Sequence, residues 1–297
     1  MDILHEDADF LAVNKPAGLA TIPGRTEPES VMDELARQLA RRDRLSDPPK
    51  LLVVHRLDRD TSGVLLVARH TDAQRKLTSQ FGKRTVAKVY RALIAGSPDP
   101  AEGEIAIALE PDPDRPGAMK PTRRRSRKKA VSQYRVLEEF RGLSLVEVRP
   151  VTGRTHQIRV HFQAIGHPLA VDPIYGSAEG VMLSRFKAGF RLKRGDRERP
   201  LIARLTLHAL RVGFARPSDG QPMEVEAPLP KDFRATLEAL RKWAAVRRPK
   251  STTRPAPIVP TSVPGVPETE DDDNPEEIPS ESELSPDNDS EDVVESA

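Results

Sequence analysis

The chain contains no cysteine, and only 4% of its 297 residues are Phe, Trp or Tyr. Without thiols there are no disulfides, no thiolate nucleophile and no Cys-ligated zinc, a usage that fits a reducing compartment. No apolar run approaches the roughly 20 residues of a membrane-spanning helix. The opening residues, with Asp2, His5, Glu6 and Asp7, lack the basic start of a secretory signal. A cytoplasmic protein with no membrane partner is expected. Also missing are a Walker loop and a dinucleotide-type glycine pattern, which argues against nucleotide-driven and redox chemistry. His55, His156, His161, His167 and His208 show no tight ligand spacing, so neither a metal nor a cofactor is expected.

Lys and Arg stop altogether after Arg254. Of the 45 acidic residues 14 lie beyond that point, leaving 31 against 47 basic residues and a formal charge of +16 on the preceding part. A body so basic suits a polyanion, most simply nucleic acid, bound through phosphate neutralisation and counterion release. From Pro249 onward aromatic residues vanish, and Pro, Ser, Asp and Glu accumulate without helical or strand period. The sequence therefore divides into a body, residues 1–248, and a disordered acidic tail, residues 249–297. Such a tail solubilises the protein or competes with RNA for the basic face.

Strand signals dominate the body. Apolar or alternating runs fall at Phe10 to Asn14, Gly63 to Ala68, Val89 to Ala95, Val131 to Leu137, Leu143 to Val148 and Leu205 to Val212. One helix is predicted over Val31 to Leu45, and a second from Thr71, in a capping box with Gln74, to a stop at Gly82. A third runs from a Thr155 cap through Ile158, Phe162 and Ile165 to Gly166, and a fourth follows Pro230 with Phe233, Leu237, Leu240 and Ala244 on one stripe. Strands and helices do not alternate regularly, so an α+β fold on a largely antiparallel sheet follows.

The densest chemistry lies in His55-Arg56-Leu57-Asp58-Arg59-Asp60-Thr61-Ser62-Gly63, between two apolar runs. Nearby guanidiniums favour the charged form of a carboxylate, and an ionised carboxylate can attack an electron-poor carbon. The same residues also suit a plain turn, since Asp bonds its own backbone and Gly supplies positive φ.

HRLDRDTSG resembles the central signature of the RluA-type pseudouridine synthases, RNA-modifying isomerases. Four more blocks extend the resemblance in the same order: ILHEDADFLAVNKPAGL from Ile3, KVYRALIAG from Lys88, GRTHQIRVHFQAIGHPLAVDPIYG from Gly153 and RLTLHALRVGF from Arg204. It implies the pseudouridine-synthase fold, a long, mostly antiparallel mixed sheet with flanking helices and a central catalytic cleft. It also implies that Asp58 is the nucleophile, that Tyr90 stacks on the target base and assists proton movement, and that Arg159 pairs with Asp58. Arg154 is the alternative partner, expected nearer phosphate. Arg56 and His156 are expected to bind substrate, with Ile158 and Leu207 as apolar walls around the uracil. The implied partner is a stem-loop of ribosomal RNA, or of transfer RNA, and the implied state is a monomer. With the first block starting at the third residue, the small RNA-binding module that many members carry is not expected ahead of it. Target selection is then expected to fall to insertions.

Two basic insertions suit that task. Arg123, Arg124, Arg125, Arg127, Lys128 and Lys129 follow a Pro-rich turn; Arg185, Lys187, Arg191, Lys193, Arg194, Arg197 and Arg199 interleave with Phe186 and Phe190. Both read as arms that grip phosphates, with the phenylalanines stacking on bases. Two other functions compete: a catalytically silent RNA-binding or ribosome assembly factor, and a two-carboxylate hydrolase. Asp58 and Asp60 would point opposite ways on an extended turn, which disfavours the hydrolase.

Overall fold

The computed structural model describes residues 1–24, 29–124, 129–193 and 195–246. Each strand signal becomes a strand: β2 (Phe10–Lys15), β4 (Ser62–Ala68), β5 (Ala87–Ala95), β9 (Val131–Phe140), β10 (Leu143–Pro150) and β11 (Leu207–Ala215). The apolar run leading into the Asp58 motif becomes the short strand β3 (Leu52–Val53), while five further strands carry too few apolar residues to stand out in sequence: β1 (Asp2–Glu6), β6 (Glu102–Ala106), β7 (Ala108–Pro111), β8 (Met119–Thr122) and β12 (Pro222–Glu226). In β6 and β12 only Ile105 and Val225 are buried.

Backbone pairing runs β1-β2-β4-β11-β5-β10-β9-β6, with β3 on β4 and β12 on β11, while β7 and β8 form a separate ribbon. Among the described strands every pairing is antiparallel except β4 with β11, where Ser62 faces His208 and Gly63 faces Ala209. With its helices this is the expected α+β architecture.

Alternation sorts side chains between the two sheet faces. Leu11, Val13, Leu65 and Val67 pack against Val31, Leu35 and Leu39 of α1 (Val31–Asp43). Phe10, Ala12, Val64 and Leu66 turn the other way, toward Leu77 of α2 (Thr71–Gly82). Farther along, Ala92, Ile94, Val146 and Val148 meet Ile158 and Phe162 of α3 (Gln157–Ala164). Leu93 and Leu145 meet Phe233, Leu237 and Leu240 of α4 (Lys231–Trp243). Each of these large α4 side chains contributes about 1.5–3 kcal/mol through burial.

Helix punctuation differs from expectation at two places. His70, not Thr71, caps α2, its side chain accepting from the Ala73 N–H at 3.3 Å, and the left-handed residue after α2 is Arg84, two positions beyond Gly82. Nor does Thr155 cap α3, which starts behind His156 without a side-chain cap. Gln157 replaces it: Oε1 accepts from Thr152 Oγ1 and the Arg154 N–H at 2.6 and 3.0 Å, while Nε2 donates to Val131 O and Ser132 Oγ. All of that amide's hydrogen-bonding capacity fixes the loop before α3 to the start of β9.

Candidate active site

Asp58 sits on the loop between β3 and β4, and that loop is clasped by the segment leaving β2. Lys15 is fully buried, and its Nζ donates to Arg59 O, Thr61 O and Pro16 O at 2.7, 2.9 and 2.9 Å. Burial lowers the Lys15 ammonium to about 8, against the charges of Asp60 and Asp58. At neutral pH it keeps three N–H groups for three carbonyls. Thr21 Oγ1 donates to Leu57 O at 2.9 Å and accepts from the Leu57 N–H at 3.1 Å. Leu57 points into the α1 side of the core, which leaves its neighbour Asp58 facing the cleft.

The opposing wall is α3. Arg159 is 5% exposed, and its Nη1 lies 3.4 Å from Asp58 Oδ2. Its stronger partner is Asp172, held by Nε and Nη2 in a bidentate pair of 2.8 and 2.9 Å. Burial alone would raise the Asp172 carboxyl, but Arg159 and the backbone N–H groups of Ile174 and Tyr175 hold it below the usual carboxylate range. The guanidinium also lies over the Tyr175 ring, 4.9 Å from its centroid. Arg159 thus makes the expected pair with Asp58. Arg154 instead stays half-buried on the loop before α3.

His156 precedes α3 with φ of 54°, its Nε2 3.9 Å from Asp58 Oδ2 and its Nδ1 2.7 Å from Tyr175 Oη. Burial lowers its pKa although the Asp58 charge opposes the shift, and exposed Arg56 is near enough to act on it as well. Tyr90 lies between the clusters under α1 and α3. Burial, then the Asp58 charge, raises its phenol. Ile158 and Leu207 belong to the buried cluster against which Tyr90 packs. Asp58, Arg159, His156, Tyr90 and Arg56 therefore converge, with the two apolar residues beneath them. The arrangement presents a carboxylate, held by fixed cations and dipoles, beside an aromatic ring over an apolar floor.

The sequence reading missed Lys15, Thr21, Gln157, Asp172 and Tyr175. A lysine ending the apolar run of β2 was the one available signal for Lys15. Asp172 stands 13 residues beyond Arg159, across a helix and a turn, with no periodicity linking them.

The insertions are partly resolved into roles. Arg123, Arg124, Arg191 and Lys193 are exposed, with Arg124 3.8 Å from Glu110. Arg125, Arg127, Lys128 and Arg194, like the tail from 249 on, lie outside the described residues. Phe186 cannot stack on bases as expected: it is 6% exposed, packed into the α4 cluster. Phe190 is half-buried.

The sequence pattern of the RNA pseudouridylate synthases matches residues 9–164. The chain belongs to this family. Among family members, the ribosomal large subunit pseudouridine synthase D of Neisseria meningitidis serogroup B is 38% identical over 246 residues, covering 83% of this chain and 63% of its own length. The enzyme of the same name from Xylella fastidiosa is 38% identical over 247 residues, 83% of this chain and 71% of its own. This chain therefore spans a little under two thirds of the Neisseria relative. The solved structure of human RNA pseudouridylate synthase domain containing 1 superposes with a TM-score of 0.61 at 29% identity, over 84% of this chain and 91% of that one. The pseudouridylate synthase fold is thereby shared across the sheet and cleft described above. Among the described residues no helix is long and apolar enough to cross a membrane.

Proposed function

We propose that the protein is an RNA pseudouridine synthase that isomerises specific uridines in structured RNA, with Asp58 as the nucleophile. Ribosomal RNA is the favoured substrate over a transfer RNA stem-loop, because relatives at 38% identity are named for the large ribosomal subunit. The observation that carries the reading is the Asp58 carboxylate, held 3.4 Å from a buried arginine beside Tyr90.

The reaction breaks the bond from ribose C1′ to N1, turns the uracil and joins C1′ to C5; the C5 proton leaves and N1 gains one. Atoms and electrons balance without an oxidant, a reductant or a second substrate. The target nucleotide must leave its stack to reach a carboxylate at the cleft floor, and the Tyr90 ring offers it a new stacking surface. Asp58 acts on C1′, on C6 of the base, or by stabilising an elimination intermediate, and each route needs its ionised form. Residues 1–248 form the catalytic body in this proposal, and residues 249–297 an accessory tail. The enzyme works as a cytoplasmic monomer.

The test is pseudouridine mapping by carbodiimide primer extension on transcribed large-subunit RNA. Wild type forms product, while Asp58→Asn and Asp58→Ala form none yet bind RNA within a few-fold. Turnover by either variant would falsify the nucleophile assignment.

A further inference from the structure

The backbone singles out His156. Of the three non-glycine residues with positive φ among the described residues, Arg44 and Arg84 follow helix ends, where the left-handed conformation is an ordinary stop. His156 instead precedes a helix, at φ 54° and ψ 16°. A residue with a β-carbon stays in that region only where its surroundings hold it. The restraint comes from Tyr175, whose hydroxyl lies 2.7 Å from His156 Nδ1 and accepts from the Met119 N–H at 2.7 Å.

These contacts leave the Tyr175 hydroxyl a proton to donate. A backbone N–H only donates, so Tyr175 Oη accepts there and its single proton is free for His156 Nδ1. With Tyr175 donating to it, Nδ1 is the acceptor and the neutral ring carries its proton on Nε2, the nitrogen facing Asp58 Oδ2 at 3.9 Å. Arg159 Nη1 approaches that same oxygen.

We infer that Tyr175 and His156 form a fixed relay that presents an Nε2–H to Asp58 Oδ2, so that His156 and Arg159 together hold this oxygen and leave Oδ1 as the attacking atom. The Oδ1 role rests on the reading of Asp58 as nucleophile; the tautomer does not. No proton moves along the relay. It positions the carboxylate, and the 3.9 Å gap shortens when substrate excludes water, as unliganded catalytic contacts commonly do. Met119 belongs to β8, whose exposed continuation carries Arg123 and Arg124, so the ribbon under the basic insertion also anchors the tautomer.

Nitrogen-15 NMR of the histidine side chains in the full chain tests the relay, with His156 signals assigned by their loss in His156→Gln. The expected result is a pyrrole-like Nε2 and a pyridine-like Nδ1. Tyr175→Phe keeps the ring over Arg159 and its packing with Leu109, Ala118, Ala130 and Val160. It should mix the tautomers and lower kcat about tenfold at unchanged KM, the size of one neutral hydrogen bond. A protonated Nδ1 in the neutral wild-type ring, or a Tyr175→Phe variant with both tautomer and kcat unchanged, overturns the relay. A wild type that makes no pseudouridine but shows the Nε2–H form would uphold the relay and sink the assigned reaction.

Discussion

A planar guanidinium can serve two carboxylates at once, and Arg159 does so, with Nε and Nη2 on Asp172 and Nη1 toward Asp58. An ammonium has no fork to divide. Arg159→Lys is therefore expected to lose at least a hundredfold in kcat, and Arg154 will not substitute, since its backbone is committed to Gln157. Single-turnover kinetics on the mapped RNA check this, with wild-type rates contradicting it. Lys15→Met removes three N–H donors from the carbonyls of Pro16, Arg59 and Thr61. Arg59 O keeps the Gly18 N–H at 3.0 Å, whereas Thr61 O loses its buried donor, a loss of about 1–3 kcal/mol, so the variant should unfold at lower urea, and its residual folded fraction should turn over slowly. At this scale the sequence yielded Asp58, Tyr90, His156 and Arg159, which the fold brings together, because they cluster in short motifs. Those that hold them are legible only in three dimensions: Asp172 and Tyr175 act on Arg159 and His156 through a turn that folds back, and Thr21 acts on Leu57 across 36 positions.

The strands that bury both faces were legible because continuous apolar runs leave little choice; β4 is buried at all seven positions. Edge strands were not, since a polar pentapeptide such as β6 owes its conformation to pairing with β9. The joint between β4 and β11 could not be read either, since parallel pairing joins residues 146 positions apart. Its demand falls on Gly63, where φ is +121° and an added β-carbon would lie 2.1 Å from Ala209 O. No side chain can yield there, because the obstacle is backbone. Gly63→Ala should therefore destabilise the fold by several kcal/mol or prevent its accumulation, measured by thermal unfolding against a Gly142→Ala control in an open turn with nothing within 4 Å. Equal melting temperatures would show that the seam can shift.

Across the whole molecule, the buried His161 and His208 and the half-buried His55 tie stability to acidity. Burial is the main cause of each shift, bringing His55 to about 3 and His161 and His208 to about 4. The unfolded chain, with histidines near 6.5, takes up these protons first. Their contribution is whole above about pH 6.5 and drains away as pH falls toward 4, at up to roughly 1.4 kcal/mol per histidine per pH unit. Urea midpoints that stay level from pH 7 to 5 would contradict this. Charge acts at the same scale. Replacing Arg123, Arg124, Arg191 and Lys193 with Gln should weaken RNA binding and reduce the slope of log K against log salt by about 0.7–0.9 for each phosphate released. An unchanged slope would mean that these exposed cations do not touch RNA.

The seam between β4 and β11 also sets a timetable for synthesis. A growing polypeptide releases Asp58 and its lysine clasp early, and Tyr90, His156 and Arg159 later, yet β4 and β5 share no ladder until β11 arrives between them. Until residues 207 to 215 clear the ribosome, nothing pairs β4 with β5, and the segment bearing Asp58 has no strand to join it to the one bearing Tyr90.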